Sequence, residues 1–132
     1  MTASSPDRSA KTVLVVDDTQ ECVAALEIVL EALRGVVIRS ANSAEEALLI
    51  LAEDLVSVLI TDVQLPHMDG LELVSRVRRD ARHSSVSIVV ISGDADPHTP
   101  QRALRAGADA FFTKPYSPLA VRRKLEELID AK

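Results

Sequence analysis

Aromatic residues are almost missing from this chain of 132 residues: there is no tryptophan, and Phe111, Phe112 and Tyr116 are the full complement. A core without rings must be aliphatic, and platforms for stacking nucleobases or a flavin are nearly absent. Cys22 stands alone, which excludes an intramolecular disulfide and a thiolate metal cluster and fits a reducing cytoplasm. No apolar run approaches membrane-spanning length. The stretch 1–11 is polar and Ser-rich, lacks the apolar segment of a signal peptide, and reads as a short disordered leader. Positive charge is also in deficit, with a net charge of −5. Nucleic acid is therefore a poor main partner, because neutralising phosphates takes a basic surface.

What is present is an aliphatic chain of the common size for one domain. Its charge is unevenly spread. Residues 1–74 hold 4 basic and 13 acidic side chains, a balance of −9, whereas residues 75–132 hold 11 basic and 7 acidic, a balance of +4. The acidic half favours cations, and the basic half suits an acidic partner.

Short β-branched runs alternate with longer amphipathic stretches from Thr12 onward. The runs are Val13-Leu14-Val15-Val16, Val36-Val37-Ile38, Val58-Leu59-Ile60, Ile88-Val89-Val90-Ile91 and Ala110-Phe111-Phe112. Continuous apolar runs indicate strands buried on both faces, as in a parallel sheet. Helices are predicted near 19–33, 43–53, 70–80, 99–106 and 117–130. Ser43 with Glu46 forms a capping box, and Leu26, Val29, Leu30 and Leu33 form one helical stripe. Gly107 marks a helix stop. The helix before it, with Pro97 and Pro100 near its start, is expected to be short and mobile there. Five strand–helix repeats imply an α/β fold with right-handed crossovers and helices on both faces of the sheet.

In such a sheet, ligands bind beyond the carboxyl ends of the strands. Four of the five runs end in a reactive group: Asp17-Asp18, Thr61-Asp62, Ser92-Gly93 and Thr113-Lys114-Pro115. The second run ends in Ser40 and Asn42 and is expected at an edge. Carboxylates gathered there repel each other by about 4 kcal/mol per pair at ~4 Å and an effective dielectric of ~20. A positive group must therefore sit among them. Hard oxygen ligands without His or Cys suit Mg²⁺, and Lys114 supplies a fixed positive charge. A carboxylate can attack phosphorus to form an acyl phosphate, with Lys114 and the Ser92 hydroxyl on the phosphoryl oxygens. Residue chemistry alone leaves open which aspartate is attacked. Taken alone, Asp17-Asp18 reads as a turn or helix cap and Asp62 as an unremarkable residue before a loop; only the constellation argues for a site.

The series VLVVDD, LITDVQLPHMDGLEL, IVVISG and AGADAFFTKP, in that order over about residues 12–130, resembles the response-regulator receiver domain of two-component signalling. The resemblance implies a flavodoxin-like, doubly wound, five-stranded parallel sheet of order 2-1-3-4-5 with five helices. It implies that Asp62 is the phosphoacceptor, Asp18 a direct Mg²⁺ ligand and Asp17 a ligand largely through water, with the Gln64 backbone carbonyl completing the protein's share of the shell. Ser92 and Lys114 would contact the phosphoryl group, and Phe111 would be the switch aromatic. Pro66 and Gly70 would shape the loop over the site. Gln64 and Asp94 occupy variable positions that tune access of the hydrolytic water, and they suggest moderate dephosphorylation. Phe111 has no hydroxyl, so its signal would be ring rotation alone.

The implied donor is a histidine kinase or a histidine phosphotransfer protein docking near the first helix. The implied output is a protein target reading the helix 4–strand 5–helix 5 face, in a monomer or a phosphorylation-dependent dimer. No separate substrate turnover is expected, nor direct nucleic-acid binding or membrane insertion. With no output domain after the last helix, the chain reads as a stand-alone receiver or as a piece of a hybrid kinase or larger regulator. A haloacid-dehalogenase-like phosphatase would need Asp-x-Asp where this chain has adjacent Asp17-Asp18. A flavodoxin-like carrier needs a phosphate-cradling loop where Asp17 to Gln20 is acidic. A receiver-like interaction module with an idle acceptor is opposed by the complete acidic set. Cys22 reads as rim packing; His67, His83 and His98 read as solvated. Arg122 and Arg123 precede Glu126 and Glu127 at i,i+4, the weaker orientation of such pairs, and read as a solvated face, with a docking surface as the lesser alternative.

Overall fold

Each apolar run does become a strand, because β-branched side chains fit a pleated surface covered on both sides. The computed structural model describes residues 11–130. In chain order its elements are β1 (Lys11–Val16), α1 (Gln20–Leu30), β2 (Val36–Ala41), α2 (Ala44–Glu53), β3 (Val58–Asp62), α3 (Gly70–Arg79), a 3₁₀ turn (Ala81–His83), β4 (Ser87–Ser92), α4 (Thr99–Ala106), β5 (Ala110–Thr113) and α5 (Pro118–Asp130). The strands are parallel in the order β2-β1-β3-β4-β5. The expected sheet order and the edge position of β2 are both found. The expected leader lies outside the described residues apart from Lys11, which is already paired in β1 opposite Val36.

Alternation along the strands divides the core in two. Leu14, Leu59, Ile88 and Val90 pack with Ala47, Leu51, Leu73, Val74, Val77 and Ala103, so α2, α3 and α4 cover one face. Val13, Val15, Ile60, Val89 and Ile91 pack with Leu26, Leu30, Val121 and Leu125, so α1 and α5 cover the other. Full burial of each Val, Leu or Ile among them contributes about 1.5–3 kcal/mol. Phe111 leans on the first cluster and Phe112 on the second, as adjacent strand residues must. No helix among the described residues is long and apolar enough to cross a membrane.

The helix ends follow local capping chemistry in part. Ser43 Oγ accepts the Glu46 N–H at 3.1 Å, but Glu46 Oε1 reaches past the cap residue to accept the Asn42 N–H at 2.8 Å. Asp69 caps α3 by accepting the Glu72 N–H at 2.9 Å. α1 stops at Leu30 and gives way to turns, short of the predicted 33. α4 does begin at Thr99, with Pro100 in its first turn and no side-chain cap. It ends at Gly107, whose φ of 122° is a conformation that a side chain resists. On α5, Arg122 and Arg123 form no ion pair with Glu126 or Glu127 among the described residues, in keeping with the weaker orientation, and Lys124 pairs with Glu127 at 3.2 Å.

The prediction for His83 was wrong. Its ring is only 2 % exposed, folded beneath the 3₁₀ turn. Nδ1 lies 3.1 Å from Asp80 Oδ2, and Nε2 accepts the Val56 N–H at 3.3 Å. A loop position does not imply solvent where a buried backbone N–H needs an acceptor. The bond to His83 also holds the Asp80 carboxyl below its ordinary range.

Candidate functional site

Parallel strands of similar length end at one level, so the residues following β1, β3, β4 and β5 converge at the carboxyl edge of the sheet. Asp17, Asp18 and Asp62 each offer a carboxylate oxygen, all within 4.8 Å of one another. Asp17 and Asp62 are each about 5 % exposed, while Asp18 faces solvent. From β5, Lys114 Nζ donates to Asp62 Oδ2 at 2.7 Å and to Asp17 Oδ2 at 3.3 Å. The other oxygens of the two buried carboxylates are held by backbone. Asp62 Oδ1 accepts the Gln64 N–H at 3.0 Å, and Asp17 Oδ1 accepts the Thr19 N–H at 2.9 Å.

One ammonium among three carboxylates leaves the cluster negative. Burial works to lower the Lys114 pKa, but the Asp62 hydrogen bond and the charges of Asp62 and Asp17 outweigh it, and the net direction is upward. The lysine is therefore locked as a cation. The residual negative charge, the all-oxygen donors and the solvent access at Asp18 fit a hard divalent ion that keeps several waters.

Two further contacts fix the surroundings. A Cβ on Gly70 would lie 1.9 Å from the Asp62 carbonyl oxygen, so only glycine lets α3 start against the β3 end, where the Gly70 N–H donates to Val63 O at 2.8 Å. Ser92 is buried, and its Oγ accepts the Asp94 N–H at 2.9 Å. The Asp94 carboxylate then accepts the Asp96 N–H at 2.7 Å and the hydroxyl of buried Thr99 at 3.1 Å. Asp94, expected to govern water access, thus ties Ser92 to the first residue of α4. Asp-x-Asp followed by Thr at the start of a helix was the available signal for that link.

Asp17, Asp18, Asp62 and Lys114 are thus gathered in one place. Gln64 touches the cluster through its backbone N–H. Ser92 is adjacent, its carbonyl accepting the Lys114 N–H at 2.8 Å, while Phe111, partly buried, packs on the α2–α3–α4 side. Cys22 and Tyr116 line a neighbouring depression beside Lys114. Burial, with Asp17 adding to it, raises the Cys22 thiol pKa; burial, with Cys22 and Asp17 adding to it, raises the Tyr116 hydroxyl to about 12. Both stay protonated near neutral pH, and rim packing for Cys22 agrees with this. His67, exposed as expected, sits in the β3–α3 loop at φ 67°.

The family model described as the response regulator receiver domain matches residues 13–126. The chain belongs to that family. A chemotaxis protein CheY homolog of Campylobacter jejuni is 34% identical to this receiver domain over 118 residues, which span 88% of the chain and 90% of the relative. Among solved structures, the chemotaxis response regulator CheY4 of Vibrio cholerae superposes with a TM-score of 0.82 at 26% identity, covering 90% of this receiver and 98% of that chain. A CheY-like receiver domain protein of Methanospirillum hungatei gives a TM-score of 0.85 at 28% identity, covering 93% and 96%.

Proposed function

We propose that Asp62 of this receiver accepts a phosphoryl group from a phosphohistidine donor, on a histidine kinase or phosphotransfer protein, and that a protein target reads the result. The observation that carries this is the Lys114 ammonium bonded to the buried Asp62 carboxylate at 2.7 Å. It lies where charge on a phosphoryl group attached to Asp62 needs neutralising. In the transfer, an Asp62 oxygen forms a bond to phosphorus. The donor's P–N bond breaks, its electron pair stays on the imidazole nitrogen, and a proton from solvent restores that ring.

The residues that would hold Mg²⁺ are Asp17, Asp18, Asp62 and the Gln64 carbonyl. When bound, the ion supplies divalent charge against the phosphoryl oxygens. Lys114 orients one oxygen and the Ser92 hydroxyl donates to another. The Asp94–Thr99 bond carries the displacement of Ser92 to α4, and Phe111 follows, altering the α4–β5–α5 face by population shift. The chemistry ends with hydrolysis of the receiver's own acyl phosphate.

Labelling with a small phosphodonor tests this. Wild type should take up label with Mg²⁺ and not with chelator, and Asp62→Asn should take up none. Unchanged labelling of Asp62→Asn would remove the assignment.

A further inference from the structure

Beside the site, α3 and α4 frame an open groove of about 550 Å³. Its walls carry Arg79 from α3 and Arg102 and Arg105 from α4 over a lining of Leu71, Ser75 and Ala106. None of these three guanidinium groups has an ion pair or hydrogen bond among the described residues, which holds also for Arg34, Arg122 and Arg123, whereas those of Arg39, Arg76, Arg78 and Arg82 are all engaged. The lining also contains two carboxylates, both engaged: Asp69 caps α3, and Glu72 pairs with Arg76 at 2.8 Å. The groove therefore presents three unpaired guanidinium groups from two helices.

We infer that this α3–α4 groove is a docking surface for an acidic segment of a partner protein. Guanidinium groups pair carboxylates in planar, often bidentate fashion, and three of them across a concavity select a run of Asp and Glu over an isolated acid. A nucleotide fits less well, because no aromatic side chain lines the groove to stack its base. The basic run Arg122-Arg123-Lys124 on α5 is the weaker candidate, since Lys124 is already paired with Glu127 and Arg122 is half-buried, which leaves one exposed guanidinium. Both walls of the groove also begin at the site. Gly70 opens α3 against the Asp62 carbonyl, and Thr99 opens α4 on the Asp94 carboxylate. An occupant would therefore sense movement at either place, though docking itself rests on the arginines and not on phosphorylation of Asp62.

The test is titration of the full chain with a short fluorescein-labelled peptide of Glu and Asp, and with its Gln/Asn counterpart. The acidic peptide should bind, and the neutral one should not. The triple variant Arg79→Gln, Arg102→Gln, Arg105→Gln should bind it about tenfold or more weakly, with a shallower salt dependence. Arg122→Gln with Arg123→Gln should bind like wild type, and so should Asp62→Asn, which separates this inference from the phosphoryl chemistry. Because the arginines substituted are exposed, the triple variant should keep its thermal transition. Absence of peptide binding, or equal binding by the triple variant or of the neutral peptide, would overturn the inference. So would tripolyphosphate binding the groove more tightly than the peptide, or loss of a self-associated form in the triple variant, which would make the occupant a second copy.

Discussion

The two ends of the sheet are both rich in charged side chains, and they differ in how those charges are matched. At the amino end, Arg78 donates through Nε to Gly107 O at 2.9 Å and through Nη1 to Ser84 O and Val86 O at 3.0 and 2.6 Å; Nη2 donates to Asp109 Oδ2 at 3.0 Å. The same Asp109 oxygen accepts the Ile88 N–H at 2.8 Å. His83 joins Asp80 to Val56, and Arg39 pairs with Asp54. Donors there meet acceptors and charge is balanced, as a structural clasp requires. At the carboxyl end, three carboxylates share one ammonium. Imbalance that the fold maintains at a cost in repulsion marks a place made for a ligand; balance marks a place made for stability.

Substitutions at the two ends should therefore separate function from stability. The largest effect is complete loss of phosphoryl labelling in Asp62→Asn, with the cooperative unfolding transition retained. Next, Arg78→Met should cost about 3 kcal/mol in urea unfolding, because several backbone carbonyls lose a charged donor, while labelling per folded molecule stays at the wild-type level. His83→Phe should cost about 1–2 kcal/mol by leaving the Val56 N–H without an acceptor, again without effect on labelling. Loss of labelling in either variant, at full folding, would break the distinction between the ends.

Smaller effects sharpen it. Mg²⁺ at about ten times its dissociation constant should stabilise wild type by about 1.4 kcal/mol, read as a rise in melting temperature, and Asp18→Asn should lose most of that rise. The smallest effect is on pH. Because burial raises the Cys22 thiol pKa, the folded state holds that proton more tightly than the unfolded chain. Stability is then unaffected below the ordinary thiol range and falls as pH rises through it toward the folded value. Urea midpoints at neutral and alkaline pH should show this fall, and Cys22→Ser should reduce it.

Much of the architecture was legible because it is local. Unbroken β-branched runs gave the strands, and amphipathic stripes such as Leu26 and Leu30 gave the helices. The site aspartates and Lys114 were legible because strand ends converge in any parallel sheet. Residue chemistry did not choose among the aspartates, and strand order came from family resemblance. The misses are long-range. His83 meets Val56 across 27 positions of sequence, and nothing local to a loop histidine announces that. Glu46 bonds Asn42 and not the cap residue, which depends on the path of the chain leaving β2. Gly70 was placed in the loop over the site, but its need to be glycine follows from the Asp62 carbonyl pressed against it. The tie of Asp94 to Thr99 is a further feature that emerges only when the β4–α4 loop folds back on itself.

That Asp62, and neither Asp17 nor Asp18, carries the phosphoryl group is tested most directly by trapping it chemically. Wild type is treated with a small phosphodonor and Mg²⁺, the acyl phosphate is reduced with borohydride, and the peptides are sequenced by mass spectrometry. The account predicts conversion of Asp62 to homoserine with Asp17 and Asp18 unmodified. Homoserine at position 17 or 18, or at none of the three, would contradict it.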